Sequence, residues 1–152
     1  MKIRIELVEN SIEEEVIIRC NSLNENVLAV QKAASEVIAG TQRIALYHGD
    51  TEFYLPLQDI LFFETDQREI NAHTVDNVYQ TKYKLYELEQ LLPGYFMRVS
   101  KSAILNINQV FSITHNLSSC LVEFRNTHKQ VYVSRYYYKP LKARLEEKRV
   151  NK

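Results

Sequence analysis

FMRVSKSAIL, Phe96 to Leu105, is the stretch on which the reading of this chain turns. Phe96, Met97, Val99, Ile104 and Leu105 sit where a buried strand wants apolar side chains. Arg98, Ser100, Lys101 and Ser102 stand between them. Side chains alternate across a strand, so Met97 and Val99 share one face while Arg98 and Ser100 share the other. Lys101 and Ser102 then fall at a break before AILNI. A turn there projects an ammonium and two hydroxyls together, groups that suit phosphate oxygens. Alone, RVSKS is also what a solvated basic turn looks like.

The surrounding text is mostly strand. RIALY (43–47) runs into His48-Gly49-Asp50, a hairpin turn with a glycine available for positive φ. EFYLPL (52–57) contains Pro56 and is expected at a sheet edge. DILFFET (59–65) is nearly all apolar and is expected to be a central strand. EINAH (69–73) and VYQTK (78–82) flank an Asp76-Asn77 turn. Lys84 to Leu92 places Leu85, Leu88 and Leu92 at helical spacing, and Pro93-Gly94 ends the helix. VFSIT, CLVEF and KQVYVS (129–134) follow, then a terminal helix over Tyr136–Arg149. Turns every 8–12 residues argue for a sandwich or barrel rather than a parallel α/β sheet.

The first forty residues have a different texture. KIRIEL (2–7) alternates Ile3, Ile5 and Leu7 with polar residues, and after a polar turn VIIRC (16–20) reads as the second strand of a hairpin. Ser22 and Glu25 fit a capping box, with Gly40 as the stop. The expectation is a β-β-α extension over residues 1–42 ahead of a β-dominated domain over 43–152.

Composition narrows the chemistry. At 152 residues, 45% hydrophobic and 25% charged, the chain can bury one core. No apolar run spans a membrane, and MKIRIELVEN is not a leader peptide, so a cytoplasmic location without membrane insertion is expected. Glycine occurs only at 40, 49 and 94, which rules out a P-loop or a dinucleotide fingerprint. No GxSxG, HExxH or CxxC is present. Cys20 and Cys120 read as separate buried thiols, with neither disulfide nor metal. His48, His73, His115 and His128 read as exposed residues at turns and strand ends. Glu64 and Asp66 share a strand face, yet a solvated loop entry explains them. No enzyme, metal or cofactor is expected.

Charge is distributed unevenly. Of 19 basic and 19 acidic residues, 11 and 3 lie from Tyr95 onward, leaving 8 basic and 16 acidic before it. A polyanion-binding face on the C-terminal part follows from this asymmetry, although salt-bridged halves of one fold would share it. The second basic cluster is SRYYYKPLKAR, Ser134 to Arg144, where Arg135, Lys139, Lys142 and Arg144 surround Tyr136, Tyr137 and Tyr138. Arginine can pair with guanine edges and lysine with phosphates. At least one of the tyrosines is expected in the core.

Taken in order, YLPLQDILFFET, VYQTKYKLYELEQLLPGYFMRVSKSAILNINQVFSI and KQVYVSRYYYKPLKARL resemble the LytTR-type DNA-binding domain over about residues 43–148. The resemblance implies a mainly β (α+β) fold of elongated antiparallel β-sheets with few helices. It also implies a sequence-specific transcriptional regulator that reads successive major grooves of double-stranded DNA through loops, as a homodimer on direct repeats. Carried over by position, the first loop is Thr65, Asp66, Gln67 and Arg68. The second holds Arg98, Ser100, Lys101 and Ser102, and the third Ser134, Arg135, Tyr136 and Lys139. The leading segment lacks the βα repeat and acidic cluster of the receiver domain that many relatives carry. That segment is expected either to dimerise or to dock on the domain. The competing reading is a β-rich protein-interaction or ligand-sensing module without nucleic acid. The input signal is not legible.

Overall fold

Strand β3 (Phe62–Asp66) explains why ILFFE is so uniformly apolar: it has a core on each side. In the computed structural model, described for residues 1–9, 15–40 and 42–147, Phe62 and Phe63 are 3% and 0% exposed. They point to opposite faces, as successive strand residues must. Phe63 joins Leu46, Ile60, Ala72, Leu85, Leu88, Phe96 and Ile104. Phe62 joins Val99, Leu105, Val122, Phe124, Val131 and Leu141. Truncating either phenylalanine to alanine is expected to cost about 3–5 kcal/mol.

The sheet around β3 has seven strands, all pairings antiparallel. Its order is β2 (Thr51–Pro56), β1 (Arg43–His48), β5 (Val78–Thr81), β4 (Glu69–His73), β3, β7 (Ala103–Asn106) and β6 (Phe96–Ser100). Pro56 lies on the edge strand β2, where its missing N–H breaks no ladder. Gly49 supplies φ +62° in the β1–β2 turn. A second, three-stranded sheet is ordered β10 (Gln130–Tyr132), β9 (Cys120–Phe124) and β8 (Val110–His115). Both sheets are open, neither closing into a barrel.

The helices are α1 (Glu25–Gly40), α2 (Leu85–Leu91) and α3 (Arg135–Glu147). The end expected for α3 at Arg149 lies outside the described residues. Glu87 caps α2 by accepting from the Lys84 N–H at 3.1 Å. Leu85 and Leu88 are buried, whereas Leu91 is exposed. Among the described residues, no helix is long and apolar enough to cross a membrane.

Residues Met1–Ile38 and Ala39–Lys152 form two compact units. In the first, the expected hairpin is not formed: 2–7 and 16–20 lie in no ladder. The turn expected between them falls at 10–14, outside the described residues. A lone two-stranded hairpin is marginal in water, and here it would bury little. Ile3, Ile5 and Leu7 are 94%, 83% and 96% exposed. Cys20 is accordingly exposed rather than buried, while Cys120 is buried as expected. The cap of α1 is Asn24, not Ser22: its Oδ1 accepts from the Val27 N–H at 3.0 Å.

Candidate nucleic-acid interface

Two tight turns and one strand-to-helix junction carry the basic residues. In the first, Asp66 pairs with Glu69, leaving Gln67 and Arg68 as a two-residue hairpin loop. Their φ values are +48° and +73°. Positive φ at both positions matches the twist of the flanking strands, but the residues usually chosen for it are asparagine and glycine. Here two long polar side chains occupy it, and both are exposed.

In the second turn, Ser100 pairs with Ala103 around Lys101 and Ser102. The register shifts between Arg98 and Ser100, a β-bulge. This bulge breaks the alternation expected for MRVS. Val99 is fully buried, and Ser100 is buried beside it at 7% exposure instead of sharing an open face with Arg98. The Ser100 Oγ accepts from the Ser102 N–H at 3.1 Å and lies 3.3 Å from the Ser102 Oγ. Arg98 turns back on its own hairpin: Nε donates to the Ser100 carbonyl at 2.7 Å and Nη2 to the Lys101 carbonyl at 2.6 Å. Its Nη1 pairs with the Glu89 carboxylate of α2. The side chains of Lys101 and Ser102 remain exposed.

The third element joins β10 to α3. Ser134 is half-buried and its carbonyl accepts from the Tyr137 N–H at 3.0 Å. Arg135, Tyr136 and Lys139 are exposed, Tyr136 at 81%. As expected of the tyrosines, some pack inward: Tyr137 and Tyr138 lie against the core around Leu141. Tyr138 also stacks on His115, with ring centroids 3.8 Å apart. Arg135 Nη2 reaches the Leu117 carbonyl at 3.5 Å.

Two backbone bonds join these elements. The Thr65 N–H donates to the Ser102 carbonyl at 2.8 Å, linking the first turn to the second. The Ser134 N–H donates to the Val99 carbonyl at 2.9 Å, linking the third to the second. Gln67, Arg68, Lys101, Ser102, Arg135, Tyr136 and Lys139 are thereby carried on adjoining segments. Beside Arg68 runs a groove of about 580 Å³ that also takes in Tyr47, Lys82 and Lys84. The Lys82 ammonium lies over the Tyr47 ring, 4.6 Å from its centroid.

Several supporting residues carry no readable signal in the sequence. Asn106 is fully buried; its Nδ2 donates to the Ile60 and Gln58 carbonyls at 3.0 and 3.3 Å, and its Oδ1 accepts from the Asn108 N–H. His73 is not an exposed turn residue. It stacks on Phe62 with centroids 4.3 Å apart, and its buried Nδ1 has no hydrogen-bond partner. Burial, with the nearby Lys129 ammonium, lowers its pKa to about 4. Lys129 itself donates to the Thr74 and Asn77 carbonyls at 2.8 Å each. Burial raises the Glu64 carboxyl, and Asp66 adds to the shift. Among the described residues, no group of three metal-ligating side chains converges.

The chain is 26% identical over 146 residues to an uncharacterised HTH-type transcriptional regulator of Staphylococcus aureus (strain NCTC 8325 / PS 47). The match covers 95% of this chain and 98% of that one. A counterpart from strain N315 is 25% identical over the same length. Despite those names, α1 and α2 are separated here by five strands, and α2 and α3 by five more, so no two described helices form a helix-turn-helix pair. Among solved structures, the LytTr DNA-binding domain of a putative methyl-accepting/DNA response regulator from Bacillus cereus superposes with a TM-score of 0.62. The two are 25% identical, and the overlap covers 68% of this chain and 96% of that one. A family model of the LytTr DNA-binding domain matches residues 50–146. By that match and that fold, this chain belongs to the LytTr DNA-binding domain family.

Proposed function

We propose that this protein is a sequence-specific regulator of transcription that reads double-stranded DNA with three loops rather than a recognition helix. One observation carries this reading. The Thr65–Ser102 and Ser134–Val99 backbone bonds hold three exposed polar segments side by side, each with a cation: Arg68, Lys101 and Arg135. Gln67, Arg68, Lys101, Arg135 and Tyr136 are the residues assigned to base edges or phosphates. Ser102 and Lys139 take phosphates at the margins, while Arg98, Ser100 and Ser134 support the loops from beneath. A bent duplex presents successive major grooves to such a set. Catalysis has no part in this reading, and contact with the chromosome places the protein in the cytoplasm.

Two copies on direct repeats complete the proposal, with residues 1–42 as the dimerising extension. The exposed Ile3, Ile5 and Leu7 support this, since a segment of alternating apolar residues that lies in no ladder is suited to pairing with a second chain. The test is a gel shift with the promoter region of the protein's own operon. A discrete, salt-sensitive shift that scrambled duplex does not compete away is expected. No shift at any salt concentration would remove the proposal.

A further inference from the structure

The Lys101–Ser102 turn has a geometric problem. Two-residue hairpin loops favour the turn types with positive φ, because only these follow the twist of the strands. The Gln67–Arg68 turn obeys this rule, with both residues at positive φ, but neither Lys101 nor Ser102 does. Their turn needs holding by something else. The β-bulge before Ser100 accounts for part of it, and the Ser100 Oγ bond to the Ser102 N–H for another part. The remainder is Arg98, whose fork-shaped guanidinium spans the carbonyls of two successive residues, Ser100 and Lys101. The Glu89 carboxylate on α2 fixes the guanidinium from the other side. A planar donor fork can hold two carbonyls at once, whereas an ammonium cannot do so at fixed geometry.

We infer that Arg98 and Glu89 form a brace that sets the position of Lys101 for DNA, making both positioning residues rather than direct contacts. This role rests on the DNA-reading function proposed above. It runs against simple electrostatics. Glu89 is an anion close to a polyanion-binding loop, so charge alone predicts that its removal tightens binding. The brace predicts the opposite for a specific site.

The test uses the full chain, a duplex obtained by selection from random sequences, and a scrambled duplex of equal length. Unfolding curves accompany each variant. For Glu89→Gln, affinity for the selected duplex is expected to fall about tenfold, while affinity for the scrambled duplex holds or rises. For Arg98→Met, a similar loss is expected with no change in the salt slope, because a guanidinium already paired with Glu89 displaces no counterion. Arg98→Lys is not expected to restore binding. The double variant is expected to lose no more than Arg98→Met alone. Tighter binding by Glu89→Gln, or a salt slope lowered by about one in Arg98→Met, would overturn the brace and make Arg98 a direct phosphate contact. A wild-type chain that selects no sequence would overturn the DNA reading itself, a result distinct from either.

Discussion

The Ser134 N–H donates to the carbonyl of Val99 at 2.9 Å, fastening the segment that opens α3 to the bulged end of β6. Val99 is fully buried, so this anchor point is rigid. The third loop therefore takes its position from the second, and the second from the first through Thr65 and Ser102.

Lys101 and Arg135 are exposed, and neither fills the core. Lys101→Ala and Arg135→Ala are each expected to weaken binding to a specific duplex by about 1–3 kcal/mol and to leave the unfolding midpoint nearly unchanged. Anisotropy titrations beside thermal melts check this. Unchanged affinity in both variants at moderate salt would remove these residues from the interface.

The first turn separates function from stability. Left-handed φ costs a non-glycine residue roughly 1–2 kcal/mol, and asparagine and glycine tolerate it best. Changing Gln67→Asn together with Arg68→Gly is expected to raise stability by about 0.5–1.5 kcal/mol and to weaken specific binding. A urea melt and a titration on the same sample measure both. A variant that gained stability without losing affinity would show that these side chains do not read DNA.

His73 gives a pH dependence of known sign. Its pKa is about 4 in the fold against 6.5 when exposed, so the unfolded chain takes up the proton first. Its contribution is present above pH 6.5 and is lost as pH falls toward 4, about 2 kcal/mol in all once partial exposure is discounted. His73→Phe keeps an aromatic ring against Phe62 and is expected to flatten the stability curve between pH 6.5 and 5. Identical slopes for the two proteins would contradict the burial argument.

Asn106 ties the end of β7 to the segment before β3. Asn106→Ala leaves the buried Ile60 carbonyl without its side-chain donor, while the Gln58 carbonyl keeps the bond from Gln109 Nε2 at 2.8 Å, and it opens a small cavity, which together are expected to cost about 2–3 kcal/mol. DNA affinity per folded molecule is expected to stay the same. Denaturant unfolding with an active-fraction titration tests both halves.

The strands of Ala39–Lys152 were legible because apolar periodicity and turn residues act locally, and the run ILFFE announced a strand covered on both faces. What stayed hidden depends on contacts distant in sequence. The bulge at Val99 moved Ser100 inward against a clean alternation. Arg98 looked like a free cation until Glu89, nine residues earlier on another element, came beside it. Asn106 and His73 read as ordinary polar residues, since only the packed core makes them buried ones. The leading hairpin failed for a related reason: KIRIEL has the right alternation, but a strand also needs a partner and a surface to cover.

Selection of bound sequences from random duplex DNA, followed by affinity measurements across salt concentrations, decides whether this chain reads DNA sequence. A single enriched motif is expected, occurring as a direct repeat, bound at least about a thousandfold tighter than scrambled duplex. No enrichment, with equal weak affinity for every duplex, would contradict it.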